Sequence, residues 1–473
     1  MTKQNAPATT RRALLAGGAA LGGAALLPRR SRATVAKPER LTMLYATSEA
    51  DSDAIKAALP DFKREFGFDI ALDTMPYGAL QQKAFAELAS QSPYYDIMII
   101  DTPWMPALTH KIQPLTNMVQ DAALGSPADL DIGDFIAKVF YDTAVFRPDA
   151  SYRHWDGGDT VDPAEIGKRG FEIYGLPIQA NVMTLAYRDD LFAEPAYRKA
   201  YQAKFGRELG PPETWNDLAN VAEIFTDPAR RLWGTTMMAG PGDWATSDFK
   251  TLLGCFGGDG HLVNDQFEPV FDSPEGRKAL AWYVDLVHSK KVTPPGTTSA
   301  SWDTVATSFG TGLTAMSLNY HTETLNGNVK GSIRYAMAPK EMRYAPHFGT
   351  WMLSVNAFSK NKEWAFRGVR WFTSRDVQIK ALETQLHPTR RSVYAHASQD
   401  AALNARFPDF YTVMGKSLEV GVGRPRLTNF SDVDRAVWIA VNDAARGAMT
   451  PDAALKRAAG QVGKLLVDAG YRK

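Results

Sequence analysis

Residues 348–366 read FGTWMLSVNAFSKNKEWAF, and the rest of the chain is best interpreted outward from them. Apolar side chains alternate from Trp351 to Val355, a spacing that predicts a β-strand. Ser359 to Glu363 then supplies capping residues and an early acid, which favour the N-terminus of a helix. Because the apolar side chains from Ala365 onward keep helical spacing, the stretch predicts a strand followed directly by an amphipathic helix.

Gly-x-Trp-x-Leu-x-Val, then Ser-Lys-Asn-Lys-Glu and a helix ending in Thr-Ser, resembles the family 1 extracellular solute-binding proteins of ABC importers, the sugar-binding type. Further stretches that resemble motifs of this family follow its order along the chain. They are residues 175–192, 211–218, 271–280, 309–320 and 387–393. The resemblance implies an α/β, two-lobe periplasmic-binding-protein fold of type II, like that of maltose-binding protein. It also implies three crossings between the lobes, near residues 118, 353 and 405.

We expect the chain to divide into a signal peptide, indicated by the N-terminal residues themselves, and two lobes, implied by the same resemblance. Residues 1–36 form the signal peptide, with cleavage after residue 33 or 36. The N-terminal α/β lobe comprises 37–118 plus 354–405, and the C-terminal α/β lobe comprises 119–353 plus 406–473. Helices between Phe430 and Ala469 close the second lobe.

Periodicity predicts the first lobe independently of the resemblance. Strands at 41–45, 70–75 and 95–101 alternate with amphipathic helices at 55–66 and 79–89. This order predicts a parallel sheet with right-handed crossovers. Ligands of such sheets bind beyond the C-terminal ends of the strands, which points to residues 47–51 and 101–104.

The N-terminus has the pattern of an export signal. Arg11 and Arg12 precede an uncharged apolar run from Ala13 to Leu27, which is too short to span a bilayer and suits a signal-peptide core. The paired arginines predict the twin-arginine (Tat) route and a periplasmic location. Cys255 is the single cysteine, so no intrachain disulfide forms, and we expect it to be a small buried hydrophobe.

Composition narrows the class of ligand. A net charge of +1 gives no electrostatic argument for binding nucleic acid or an anionic membrane. The chain contains 11 Trp and 17 Tyr. Most of these aromatic side chains must be buried in the core, but a number this high also suits a ligand that lies against aromatic rings. Sugars present such apolar faces together with hydroxyl groups, which acids and amides bind.

Ten residues are therefore expected to bind ligand: Glu49, Asp101, Trp104, Gln179, Asn181, Asp243, Trp244, Asn319, Tyr320 and Trp351. The strand-end rule points to the first three. The position of Gln179 and Asn181 comes from the family motif, and Asp243 and Trp244 follow a Gly/Pro loop. Trp351 could equally well belong to the core. Arg390 could either pair with an acidic group of a ligand or anchor a loop through a salt bridge.

The predicted function is the periplasmic substrate-binding component of an ABC importer. It captures a mono- or oligosaccharide between two lobes by hinge closure, and acts as a monomer with permease transmembrane subunits as partners. Glycerol phosphate, a polyol or another small polar solute is the alternative ligand, with Arg390, Arg424 and Arg426 as the suppliers of charge for a phosphate. A secreted carbohydrate-active enzyme is a further alternative. No zinc motif, P-loop or nucleophile elbow is present, so no catalytic residue, metal or cofactor is predicted.

Overall fold

The segment around Trp351 lies in the middle of a five-stranded sheet. A computed structural model describes residues 35–47, 51–149, 160–320, 329–384 and 387–472. Its strands are β1 Arg40–Ala46, β2 Asp69–Met75, β3 Ile97–Asp101, β4 Val145–Phe146, β5 Glu172–Ile173, β6 Leu176–Val182, β7 Thr184–Arg188, β8 Met316–Asn319, β9 Ile333–Met337 and β10 Phe348–Val355.

The α-helices of the described residues follow the same numbering in chain order. They are α1 Ser52–Phe66, α2 Tyr77–Ala89, α3 Pro127–Leu130, α4 Ala137–Ala144, α5 Pro163–Lys168, α6 Asp189–Ala193, α7 Pro195–Phe205, α8 Trp215–Phe225, α9 Asp243–Cys255, α10 Pro274–His288, α11 Trp302–Gly310, α12 Lys362–Phe372, α13 Arg375–Ala381, α14 Arg391–Gln399, α15 Ala401–Arg406, α16 Phe410–Val420, α17 Phe430–Ala445 and α18 Pro451–Asp468.

The large sheet has the strand order β2-β1-β3-β10-β6. β1 pairs in parallel with β2 and β3, which confirms the predicted βαβ arrangement. β10 runs antiparallel between β3 and β6. Apart from Gly349, every residue of β10 is buried, because helices cover both faces of the sheet. The alternation at Trp351 therefore correctly predicted a strand, and both faces of that strand are buried.

The predicted helix after β10 begins at Lys362 and buries Ala365, Phe366, Val369 and Phe372. Ser359 binds Asp96 Oδ1 at 2.6 Å, and its Oγ accepts the backbone N–H of Asn361, so it fixes the turn before the helix. Gly368 faces the sheet, where an added Cβ would approach Ile97 Cδ1 to 2.9 Å. The small residue lets α12 lie close to β3.

The sequence also predicts that Thr214 with Asp217, and Ser273 with Pro274, start two further helices, and both predictions are confirmed. Thr214 and Asp217 form a reciprocal capping box at α8. Ser273 caps α10 with Pro274 at its first position. The predicted C-terminal helices are α17 and α18. Cys255 ends α9 fully buried, as expected, and burial raises the pKa of its thiol to about 11.

Pro38–Lys473 forms one unit that contains two large hydrophobic cores. The first core takes its residues from 41–178 and 351–372, and the second from 183–345 and 422–466. A smaller cluster between positions 136 and 418 includes residues 382–418. The cores therefore divide the chain after residue 178, where β6 leads into β7, rather than at the predicted boundary of 118.

That difference has a structural reason. β6 completes the large sheet, and α4 packs against β6 and β10, so residues 119–178 bury their apolar side chains with the first lobe. The stretch from 146 to 166 is polar and rich in Gly and Asp, so the sequence predicts a loop there. Its residues 150–159 lie outside the described residues, and it ends in α5. Within the described ranges, none of the helices combines the length and apolar character that crossing a bilayer requires.

Candidate functional site

The sheet register places four of the predicted residues on one face. Trp351 lies opposite Asp101 of β3 and opposite Gln179 of β6, while Gly349 lies opposite Asn181. Residues directly opposite each other, and residues two apart along a strand, share a face. Asp101, Gln179, Asn181 and Trp351 are therefore neighbours. Gln179 is fully buried, and the amide oxygen of Asn181 has no hydrogen-bond partner in the described part of the chain.

Three aromatic rings form a wall on this face. The ring centroids of Tyr77, Trp104 and Trp351 lie 5.4 to 5.7 Å from one another. Trp104 is 2% exposed and Trp351 5% exposed, so Trp351 belongs to the core and to this wall at once. Within the described residues, the indole N–H of Trp104 lacks a hydrogen-bond partner.

A bridge of three charges adjoins this wall at Asp101. Arg424 Nη1 lies 3.1 Å from Asp101 Oδ2, and Arg424 Nη2 lies 3.5 Å from Asp243 Oδ2. Tyr77 donates its hydroxyl to Asp101 Oδ2 at 2.8 Å. We call Asp101, Arg424 and Asp243 the charge bridge. Asp101 ends β3 of the first core, whereas Asp243 begins α9, which packs into the second.

Burial sets the electrostatics of the bridge. Burial raises the pKa of Asp101 above its ordinary value, and the positive charge of Arg424 and the hydroxyl of Tyr77 oppose that rise. Burial disfavours the charge of Arg424, but Asp101 and the other negative groups around it raise its pKa overall. The guanidinium therefore stays charged and holds both carboxylates.

Trp244 lies beside the charge bridge. It follows Asp243 at the start of α9, and its Nε1 donates to the carbonyl of Gly240 at 2.9 Å. An added Cβ on Gly242 would come within 2.3 Å of the Trp244 ring, so the glycine makes room for it. The ring packs edge-on against Trp302, with centroids 5.3 Å apart.

Asn319 and Tyr320 meet the site in different ways. Asn319 donates to the carbonyl of Trp302 and accepts the N–H of Tyr320, so its amide is held by the backbone. These two backbone hydrogen bonds explain the position of the Asn319 amide better than contact with a ligand does. The hydroxyl of Tyr320 lies 3.1 Å from Nδ1 of the buried His347, and burial raises the pKa of Tyr320 to about 12.

Two further sequence candidates, Arg390 and Arg426, have structural partners of their own. Glu49 falls outside the described residues. Arg390 is buried and donates to the carbonyls of Thr373, Leu130 and Asp131, so it anchors loops, the second of the two interpretations left open by the sequence. Arg426 is likewise buried and donates to the carbonyls of Val145 and Tyr141.

Two important residues of the site are only weakly indicated by the sequence. Arg424 is expected only as a supplier of charge for a phosphate, because no local pattern places it beside Asp101. Tyr77 begins α2 directly after β2, so the strand-end rule applied to β2 would have pointed to it. Among the described residues, no cluster of three or more histidine, cysteine or acidic side chains is arranged to hold a metal.

Comparison with known proteins decides the family. The profile of the bacterial extracellular solute-binding proteins matches residues 46–379, more than half of the chain. The chain belongs to this family. The resemblance drawn from the sequence is therefore confirmed.

Curated relatives of this solute-binding protein match at low identity. A probable amino-acid ABC transporter periplasmic-binding protein, y4oP, of Sinorhizobium fredii is 22% identical over 433 residues, with 90% of each chain covered. A probable ABC transporter-binding protein of Deinococcus radiodurans is 24% identical over 311 residues, 63% of this chain and 70% of that protein.

Solved structures confirm the two-lobe, maltose-binding-protein-like fold. A solute-binding protein from Agrobacterium radiobacter K84 in complex with ribitol is 25% identical, with a TM-score of 0.70 over 90% of this chain and 98% of that one. Maltose-bound MalE3 of T. maritima is 23% identical, with a TM-score of 0.70 over 90% and 100% of the two chains.

Proposed function

We propose that this solute-binding protein is the periplasmic substrate-binding component of an ABC importer and captures a carbohydrate or polyol between its lobes. The observation that supports this best is the charge bridge, which contacts the wall of Tyr77, Trp104 and Trp351 through Tyr77. Carboxylates and a guanidinium bind hydroxyl groups, and aromatic rings bind the apolar face of a sugar.

The mechanism we propose is hinge closure. The charge bridge links Asp101 of the first core to Asp243 of the second through Arg424, which lies between α16 and α17. Moving the cores apart must break at least one of these contacts. A ligand that contacts both carboxylates therefore favours the closed arrangement by its differential affinity for that state.

Ligands of the structural relatives support an uncharged polyhydroxy compound. The Agrobacterium radiobacter protein holds ribitol, the T. maritima protein holds maltose, and a protein from Agrobacterium vitis S4 with a TM-score of 0.68 holds D-mannitol. The ring wall and the bridge of this chain match that chemistry. Mono- and oligosaccharides and polyols all fit this chemistry.

A phosphate ligand has less support. It requires cations that are free to face it, yet Arg390 and Arg426 donate to backbone carbonyls and Arg424 is paired with two carboxylates. The same argument weighs against the carboxylate of an amino acid, the ligand class in the name of the Sinorhizobium relative. An enzyme remains an alternative that turnover assays distinguish.

Export and partnership belong to the same proposal. The twin-arginine segment, residues 1–36, lies almost wholly outside the described residues, and we propose that it directs the protein through the Tat pathway to the periplasm. There the monomeric closed form delivers its ligand to the transmembrane subunits of an ABC permease. Glu49, Gln179, Asn181 and Tyr320 join the charge bridge in our proposed ligand site.

Thermal unfolding of residues 37–473 against sugars, polyols, glycerol phosphates and amino acids tests this function. A ligand at one hundred times its Kd adds about 2.7 kcal/mol to the free energy of unfolding, enough to raise the midpoint measurably. We expect a shift with an uncharged sugar or polyol. In Asp243→Asn its affinity should fall at least tenfold, because one of the two carboxylates is lost.

Asp409→Asn is the matched control. Asp409 is also paired with an arginine, Arg334, but on an exposed surface, and its positive φ of 66° suits asparagine equally well. Ligand affinity should be unchanged in this variant. Shifts only with phosphates would favour the alternative ligand class. Product formation from glycans without stoichiometric binding would contradict the binding-protein function.

A further inference from the structure

Arg424 is the cation that both carboxylates of the charge bridge share. Its side chain is 12% exposed, and that of Asp101 is 1% exposed. In the ion pairs of the described residues, Arg424 is the partner of Asp101 and of Asp243. The guanidinium lies beside Gly349, where an added Cβ would be 3.9 Å from Nη2. It is therefore next to the strand pair that carries Asn181.

The site without this arginine would have a different chemistry. Asp101 and Asp243 would be two carboxylates beside the rings of Tyr77, Trp104 and Trp351. Carboxylates together with aromatic faces attract organic ammonium ions, through ion pairing and cation–π contact. With Arg424 in place, an ammonium group meets a fixed positive charge, and an anionic group meets two negative ones.

A hydroxyl group avoids both repulsions. A hydroxyl can donate to a carboxylate oxygen and accept from the guanidinium. Of two neighbouring hydroxyls, one can therefore bind a carboxylate while the other binds the arginine. Tyr77 already donates to Asp101 Oδ2, which leaves further lone pairs on the carboxylates for such donors. The alternation of acid, base and acid thus favours an uncharged ligand with adjacent hydroxyls.

We propose that Arg424 determines the charge specificity of the site: it keeps Asp101 and Asp243 as hydroxyl acceptors and excludes organic ammonium ions. The accepted ligand is then an uncharged polyhydroxy compound. This inference rests on the proposed function for the location of the site. It assigns to Arg424 a role in selecting ligands by their charge, which the fold alone does not specify.

Three probes with one carbon skeleton test the proposal: D-glucitol, its 1-amino-1-deoxy derivative, which is protonated at neutral pH, and D-gluconate. Isothermal titration calorimetry at low salt measures each against the mature protein and its variants. In the unaltered protein we expect D-glucitol to bind at least tenfold more tightly than the amine or the acid.

In Arg424→Gln, the affinity for the amine should rise at least tenfold relative to D-glucitol, and added salt should reverse the gain. Arg424→Lys keeps the positive charge and should keep the original order. Arg334→Gln removes an arginine from the exposed pair with Asp409 and should change nothing. An amine-to-glucitol ratio that is equal in Arg424→Gln and in the unaltered protein overturns the proposal.

Arg424→Gln leaves the buried Asp101 and the partly exposed Asp243 without their cation, so its folding is checked by circular dichroism. If it does not fold, Asp101→Asn is the deciding variant. It retains Arg424 and should gain at least fivefold in affinity for D-gluconate relative to D-glucitol, and no gain overturns the proposal.

The role of Arg424 and the proposed function are contradicted by different results. Glucitol binding with an unchanged ratio in Arg424→Gln contradicts the role of Arg424 alone. A tenfold rise in the absolute affinity for the amine on Arg424→Gln, in a protein that binds none of the uncharged sugars or polyols, contradicts the proposed function alone.

Discussion

Asp248 offers a quantitative test of how the second core is held together. It lies on α9, 1% exposed, and its Oδ2 accepts the N–H of Met238 at 2.7 Å and the hydroxyl of Tyr283 at 3.0 Å. In the described part of the chain its Oδ1 has no hydrogen-bond partner. Burial raises its pKa from 3.8 to about 7, against the opposing effect of the two donors.

The sign of the pH effect follows from this rise. Between pH 3.8 and about 7 the folded protein keeps the proton of Asp248, while the unfolded chain has lost it. The free energy of unfolding therefore falls as pH rises through this window, by about 1.4 kcal/mol per pH unit from this group. From pH 5 to pH 8 the loss amounts to about 3 kcal/mol, since most of it occurs below pH 7.

Asp248→Asn removes this titration and keeps an oxygen for Met238 and Tyr283. The substitution has a pH-independent offset, because an NH₂ group replaces the oxygen without a partner. The difference in unfolding free energy between Asp248→Asn and the unaltered protein should therefore move in favour of asparagine by about 3 kcal/mol from pH 5 to pH 8. Urea unfolding at several pH values, followed by tryptophan fluorescence and circular dichroism, measures it.

Tyr283→Phe is an internal control for the same site. Its hydroxyl lowers the pKa of Asp248, so removing it should raise that pKa and extend the loss of stability to higher pH. In the background of Asp248→Asn, the change at position 283 should have no pH-dependent effect. A difference between Asp248→Asn and the unaltered protein that stays constant from pH 5 to pH 8 would refute the reasoning.

Two further predictions concern backbone space and loop anchoring. Gly276→Ala should destabilise the protein by on the order of 3 kcal/mol, because the new Cβ would meet the Phe271 carbonyl oxygen at 1.9 Å. Gly460→Ala, in the open interior of α18, should instead stabilise it by about 0.5–1 kcal/mol in the same denaturant assay, and equal effects at the two sites would contradict this account. Arg390→Met should lower stability by about 3–5 kcal/mol, because the carbonyls of Leu130, Asp131 and Thr373, in two separate segments, lose their buried donor. Ligand affinity of the variant below its melting temperature should be unaffected, and a loss of affinity without a loss of stability would show that Arg390 serves the ligand site.

Local patterns in the sequence predicted the elements that local interactions form. The capping box of Thr214 and Asp217 and the Ser273-Pro274 start of α10 act within three or four residues. The buried run that ends at Asp101 and its alternation with helices predicted the parallel part of the sheet. Short-range rules also named several residues of the site, since the ends of strands and the starts of helices lie in predictable places.

Only the tertiary structure decided how those residues meet. Arg424 contacts Asp101 across 323 positions of sequence, and the antiparallel insertion of β10 beside β3 places Trp351 against Asp101. The tertiary structure also assigns residues 119–178 to the first core, because β6 pairs with β10. Caps and periodicity depend on neighbours along the chain. An ion pair between distant segments depends instead on strand register and on where the chain passes from one core to the other. Those are properties of the whole packed fold, so no single stretch of this sequence carries them.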